Sequence, residues 1–95
     1  MQAVVRTYSG KGGKELFDIL EKNKAEVEKL LRGVKGLVSY TLAHSGDGGY
    51  SLTVCQDKAG VDESVRIARD WIAKNAASAG ASPHISEGSV MVHIK

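Results

Sequence analysis

Apolar and polar positions along this chain follow two rhythms, and the order of those rhythms is its most informative property. A period-two run from Ala3 to Tyr8 precedes a helical stretch from Gly13 to Arg32. Two further period-two runs are joined by Gly46-Asp47-Gly48-Gly49. A second helical stretch, Gly60 to Ser78, and a last period-two run, Ser89 to Ile94, complete the chain. Strand–helix–strand–strand–helix–strand is the split βαβ arrangement. It predicts one ferredoxin-like α+β domain (βαββαβ) over residues 1–95. Its four strands form an antiparallel sheet with two helices on one face.

In the first helix Leu16, Ile19, Leu20, Val27, Leu30 and Leu31 fall on one stripe, with Asn23 inside it. The opposite side offers Lys22–Glu26, Lys24–Glu28 and Glu28–Arg32 pairs four residues apart. In the second helix Val65, Ala68, Ile72 and Ala76 form the stripe, widened by Ile67 and Trp71. Asp57 is the expected cap at its start. Among the strands, Ala3/Val5/Thr7, Val38/Tyr40/Leu42, Leu52/Val54 and Val90/Val92/Ile94 make the more apolar set, expected against the helices. The other set includes Arg6, Tyr8, Leu37, Ser39, Thr41, Thr53, Cys55, Met91 and His93. Two helices cover one side of a four-stranded sheet, so this second set is expected on an open face that meets a second copy of the chain.

Composition narrows the classes. A 42% apolar and 25% charged chain is ordinary for a globular protein. Thirteen basic and eleven acidic residues give a net charge of +2 with the signs interleaved, unlike the basic stripe of a nucleic-acid binder. No run is long and apolar enough to span a bilayer, and the first residues lack the apolar run of a signal peptide. With one cysteine, Cys55, no internal disulfide can form, and a cytoplasmic location is expected.

Few motifs suggest chemistry. Ser9-Gly10-Lys11-Gly12-Gly13-Lys14 sits where a phosphate loop would, but Tyr8 and Glu15 break both the Walker and GxGxxG patterns. A flexible solvent turn is expected there. His44, His84 and His93 are dispersed, so neither a metal site nor a cofactor is expected. Cys55 and His93 are expected on one face but separated by the first strand, with Cys55 buried at a dimer interface. A copper-carrying loop would need two cysteines after the first strand. An RNA-stacking sheet would need more exposed aromatics than Tyr8.

In element order and face chemistry, the chain resembles the dimeric α+β barrel superfamily. The segment Val54-Cys55-Gln56-Asp57-Lys58-Ala59-Gly60 leading into Arg69-Asp70-Trp71-Ile72 adds to this likeness. The superfamily includes the antibiotic-biosynthesis-monooxygenase-like and stress-responsive barrel groups. The resemblance implies a homodimer with sheets packed face to face and, in enzymatic members, a cavity between sheet and helices. For this chain it suggests that Trp71, Tyr40 and Asn23 converge on a small apolar or aromatic ligand. Two alternatives stay open: a cofactor-independent monooxygenase acting on an aromatic or quinol-type substrate, and a non-enzymatic structural or regulatory interaction module. The first strand lacks the Asn of haem-degrading members, and neither helix contains their His.

Overall fold

A computed structural model describes residues 1–10 and 12–94. Its elements are β1 (Gln2–Tyr8), α1 (Gly13–Lys22), α2 (Lys24–Arg32), β2 (Leu37–Ser45), β3 (Gly48–Cys55), α3 (Lys58–Asn75), a 3-10 turn (Ala77–Ala79) and β4 (His84–Ser89). The strands form one sheet in the order β2-β3-β1-β4, every neighbouring pair antiparallel. This is the ferredoxin-like arrangement that the element order implies, with β1 and β3 at the centre.

The first helical stretch is two helices. Asn23 adopts φ −117° and ψ 21°, outside the helical region, and its Nδ2 donates to the Ile19 carbonyl at 2.8 Å. Asn competes for local backbone groups and so favours helix ends over interiors. The break changes the phase of the stripe. Leu16, Phe17 and Leu20 of α1 and Val27 and Leu31 of α2 are buried, while Leu30 moves to the rim. The break also separates Lys22 from Glu26. Of the three anticipated pairs, Arg32–Glu28 forms, at 2.8 Å.

At the start of α3, the Asp57 side chain accepts from Gly60 N at 3.0 Å, which confirms the expected cap. Lys58 ties this end to the sheet edge through Glu87 at 3.2 Å.

The register corrects the expected faces. Arg6 pairs with Ser51, Val4 with Thr53 and Gln2 with Cys55, while Tyr40 also pairs with Thr53 and Leu42 with Ser51. Cross-strand partners share a face. Val4, Arg6, Tyr8, Ser51, Thr53 and Cys55 are buried under the helices together with half-buried Tyr40 and Leu42. Arg6, Tyr8, Thr53 and Cys55 therefore do not lie on the open face. That face carries Ala3, Val5, Thr7, Thr41, Ala43, Tyr50 and Leu52, with Ser39 joining it after an irregularity between Leu37 and Ser39. The large Tyr8 meets Phe17 edge-on, with ring centroids 5.8 Å apart. The smaller Ala3 and Thr7 could not fill that space.

The last strand is also displaced. It runs His84–Ser89 rather than Ser89–Ile94, because β1 starts at Gln2 and offers no partner further on. One more bond, Val90 N to Met1 O at 3.0 Å, ends the ladder. Met91 and His93 thus lie beyond the sheet. Met91, Val92 and Ile94 are 95, 76 and 87% exposed.

The glycines near the first helix serve close packing. Lys11 lies outside the described residues. A Cβ on Gly12 would meet the Ala79 carbonyl oxygen at 2.2 Å, and one on Gly13 the Asp47 oxygen at 2.4 Å, so these two glycines are closely packed, while Ser9 and Gly10 face solvent. In the β2–β3 hairpin Gly46 alone has positive φ, +56°, and Asp47 does not share it.

At Gly49 a Cβ would lie 2.2 Å from the Ala43 carbonyl oxygen and 2.5 Å from the Phe17 ring. Gly49→Ala is expected to destabilise the protein by about 1–3 kcal/mol through overpacking. An unchanged urea midpoint would show that Phe17 has room to move.

Candidate functional site

A cleft lies between the sheet and the pair α2 and α3. Its floor is Arg6 and Tyr8 from β1 and Tyr40 from β2; its walls include Val27, Leu31 and Trp71. The inner space is about 30 Å³, enough for about one water molecule. Leu30, Ile67 and Trp71 also line an outer groove of about 320 Å³ between α2 and α3. A second groove, of about 460 Å³, lies on the other side of α2 and shares Val27, Leu31, Tyr40 and Leu42 with the inner space. The short helix α2 thus covers a small chamber with an open groove along each flank.

The floor is polar in an otherwise apolar chamber. Arg6 is only 6% exposed. Its Nε and the Tyr8 hydroxyl are the buried side-chain polar atoms without a hydrogen-bond partner among the described residues. None of the ion pairs among those residues involves Arg6. The guanidinium carbon lies 5.5 Å from the Tyr8 ring centroid, a cation–π contact that offsets part of its desolvation. Because β1 is paired on both edges, Arg6 sits mid-sheet, beneath the helices and away from the sheet's edges.

Burial pushes the Tyr8 hydroxyl pKa up, against the opposing pull of Arg6. Tyr40 is pushed up to about 12, chiefly by burial, with Arg6 lowering it and Tyr8 raising it. Both hydroxyls stay protonated at neutral pH and can donate. An unfolded tyrosine ionises near pH 10, whereas folded Tyr40 holds its proton until about pH 12. Stability is therefore full below pH 10 and falls as pH rises toward 12, by on the order of 2 kcal/mol. Denaturant midpoints at about pH 9 and about pH 11.5 should show a smaller drop for Tyr40→Phe than for the parent chain. Equal drops would place Tyr40 in water.

Of the three residues expected to converge, Trp71 and Tyr40 line the cleft and Asn23 does not. Asn23 is occupied at the α1–α2 junction. The Trp71 indole Nε1 donates to Glu26 Oε2 at 3.2 Å, joining α3 to α2 across the mouth. Arg6 and Tyr8, assigned from the sequence to the opposite face, replace Asn23 as the polar groups of the site. The signal available in the sequence was the pairing of a charged and a large aromatic residue on a central strand. Cys55 is fully buried beneath α3, where a Cβ on Gly60 would come within 3.0 Å of its own. Burial, with Asp57 and Glu63 nearby, pushes its thiol pKa up and makes it a poor nucleophile. Among the described residues no three His, Cys, Asp or Glu side chains gather as metal ligands. No helix among them is long and apolar enough to cross a membrane.

Comparison with solved structures finds the same ferredoxin-like α+β fold in other proteins. A protein of unknown function, NE2512 from Nitrosomonas europaea, superposes with a TM-score of 0.73 at 18% identity, over 99% of this chain and 91% of that one. A monooxygenase from the gene ActVA-Orf6 of Streptomyces coelicolor, solved with the ligand nanaomycin D, gives 0.69 at 17% identity, over 99% and 90%. A dimeric ferredoxin-like protein from an uncultured marine organism gives 0.64 at 16% identity, over 98% and 95%. No family model matches the chain, and no curated protein does. At these identities the likeness establishes the fold alone.

Proposed function

We propose that this chain is a small homodimeric α+β barrel protein, one domain over residues 1–95, that binds a small apolar or aromatic molecule between its sheet and helices. The observation that carries the reading is the buried, unpartnered Arg6–Tyr8 pair at the bottom of an apolar cleft beside Trp71 and Tyr40. A buried polar group without a partner costs stability and calls for an explanation. A ligand oxygen supplies one. The inner space takes a polar head, and the outer groove, at about 320 Å³, is in the size range of a ligand body. A thermal-shift panel of quinols, flavins, haem and polyketide-like phenols tests this. A shift with aromatic members that disappears in Trp71→Ala supports it. No shift with any compound would favour a protein-interaction module.

The monooxygenase alternative draws support from the fold shared with the ActVA-Orf6 protein. The residues weigh against it. The inner space offers no carboxylate, His or Cys, and Tyr40 holds its proton to about pH 12, so none of its side chains serves as a base at neutral pH; the carboxylates of Glu26 and Asp70 line only the outer groove. Binding is the function this geometry supports best.

Self-association is supported by the exposed Tyr50 and Leu52 on the uncovered sheet face and by Met91, Val92 and Ile94, which are exposed beyond the end of the sheet. The dimeric marine protein of the same fold adds to it. Light scattering at micromolar concentration should give twice the chain mass, and Leu52→Arg should weaken the dimer roughly tenfold or more. A monomeric parent, or a variant of unchanged mass across dilution, would remove that face as the interface. A reducing compartment such as the cytoplasm suits the single free, buried Cys55.

A further inference from the structure

We infer that the ligand is an anion: a molecule with a flat apolar body and one carboxylate, phenolate or enolate oxygen, whose charge is taken by Arg6. This rests on the small-molecule reading above and deepens it. Arg6 is 94% removed from solvent by its 6% exposure, and it lines the inner chamber. Neither the chamber walls nor any ion pair among the described residues supplies a negative charge to it. A guanidinium can donate along five N–H bonds in a planar fork, a shape matched by a carboxylate. Its Nε is unpartnered, and so is the hydroxyl of Tyr8, whose ring centroid lies 5.5 Å from the guanidinium carbon. Together they form a donor set with no acceptor.

The acids Glu26 and Asp70 line the outer groove and not the inner chamber, and Glu26 stands at the mouth. It already accepts the Trp71 indole proton. The chamber's small volume favours a compact oxygen head over a bulky neutral group, and the shared Leu30, Ile67 and Trp71 wall lets the body continue into the outer groove. Buried charge is tolerated when it is paired and hydrogen-bonded. Binding an anion completes that pairing.

The test uses a matched pair of probes, 2-naphthoate and its neutral isostere 2-naphthamide, titrated into the full chain. The readout is the indole N–H resonance of Trp71, the only tryptophan in the chain. The naphthoate should bind roughly tenfold or more tightly than the amide, as expected for a charge-assisted, fork-like contact. Arg6→Met should bring the two affinities within about twofold of each other, and Arg6→Lys should leave an intermediate preference because it keeps the charge but loses the fork. Equal binding of both probes by the parent chain overturns the anion inference and leaves the ligand site standing. So does a preference that survives in Arg6→Met. If neither probe moves the Trp71 signal, the site reading fails and the inference falls with it. The comparison within the parent chain decides the matter even if a variant does not fold.

Discussion

Trp71→Ala is expected to cost about 3–5 kcal/mol, the range for truncating a large buried aromatic. Trp71 is buried in the main core cluster, where it packs with residues from both the sheet and α2. Removing it opens a cavity in the cleft and leaves Glu26 without the indole donor that joins α3 to α2. For a chain of this length the loss is a large share of the stability normally available, about 5–15 kcal/mol. Trp71→Phe keeps most of the apolar area and loses the hydrogen bond, so it should cost about 1–2 kcal/mol. Urea unfolding of the three proteins checks both steps. A loss under about 1 kcal/mol for the alanine variant would mean that the indole is a mobile lid and not part of the packed core.

Arg6→Met is expected to act in the opposite direction and stabilise the ligand-free protein by about 1–4 kcal/mol, as replacing buried charge with well-packed apolar residues can do. Methionine is flexible enough to fill the space beside Tyr8 without strain. The arginine it replaces is buried, has an unpartnered Nε and makes no ion pair among the described residues. Groups that weaken the fold in this way persist where function needs them, the usual trade between stability and activity. Thermal and urea midpoints of the two proteins measure the effect. A lower midpoint for Arg6→Met would mean that the arginine is satisfied in the folded chain and holds the sheet together.

These two residues also show where reading the chain succeeds and where it stops. Trp71 was placed correctly because helical periodicity puts it beside Ile67 and Ile72 on a face that must be buried. Tyr40 and Leu42 flank the exposed Thr41 beyond the irregularity in β2, and that local alternation puts both on the inner face. Arg6 and Tyr8 were placed on the wrong side. On β1 the two faces, Ala3/Val5/Thr7 and Val4/Arg6/Tyr8, are nearly equal in apolar character, and hydrophobicity ranks a charged residue as outward. A half-apolar strand does not declare its phase, and a slip of one residue reverses every side chain. Asn23 failed for a related reason. A polar residue inside an apolar stripe reads equally as a ligand contact or a helix break, and only the backbone dihedral tells which.

Val90, Val92 and Ile94 alternate better than His84–Ser89 does, so the pattern alone points past the strand that forms. Pairing, however, requires a neighbouring edge, and β1 ends before those residues can use it. Their apolar alternation suits a strand or surface supplied by another chain, in keeping with the proposed dimer.

Local interactions encode the type and order of the strands and helical stretches, the Gly46 hairpin and the Asp57 cap, because each depends on residues a few positions apart. The sequence alone therefore determined the ferredoxin-like arrangement. Which side of β1 and β3 faces inward, where β4 begins, and that Arg6 and Tyr8 form the floor of the cleft were decided by the tertiary structure. Those outcomes depend on strand register and on which side chains fit beneath Phe17 and Trp71. Residues distant along the chain set both, and local patterning does not carry that information.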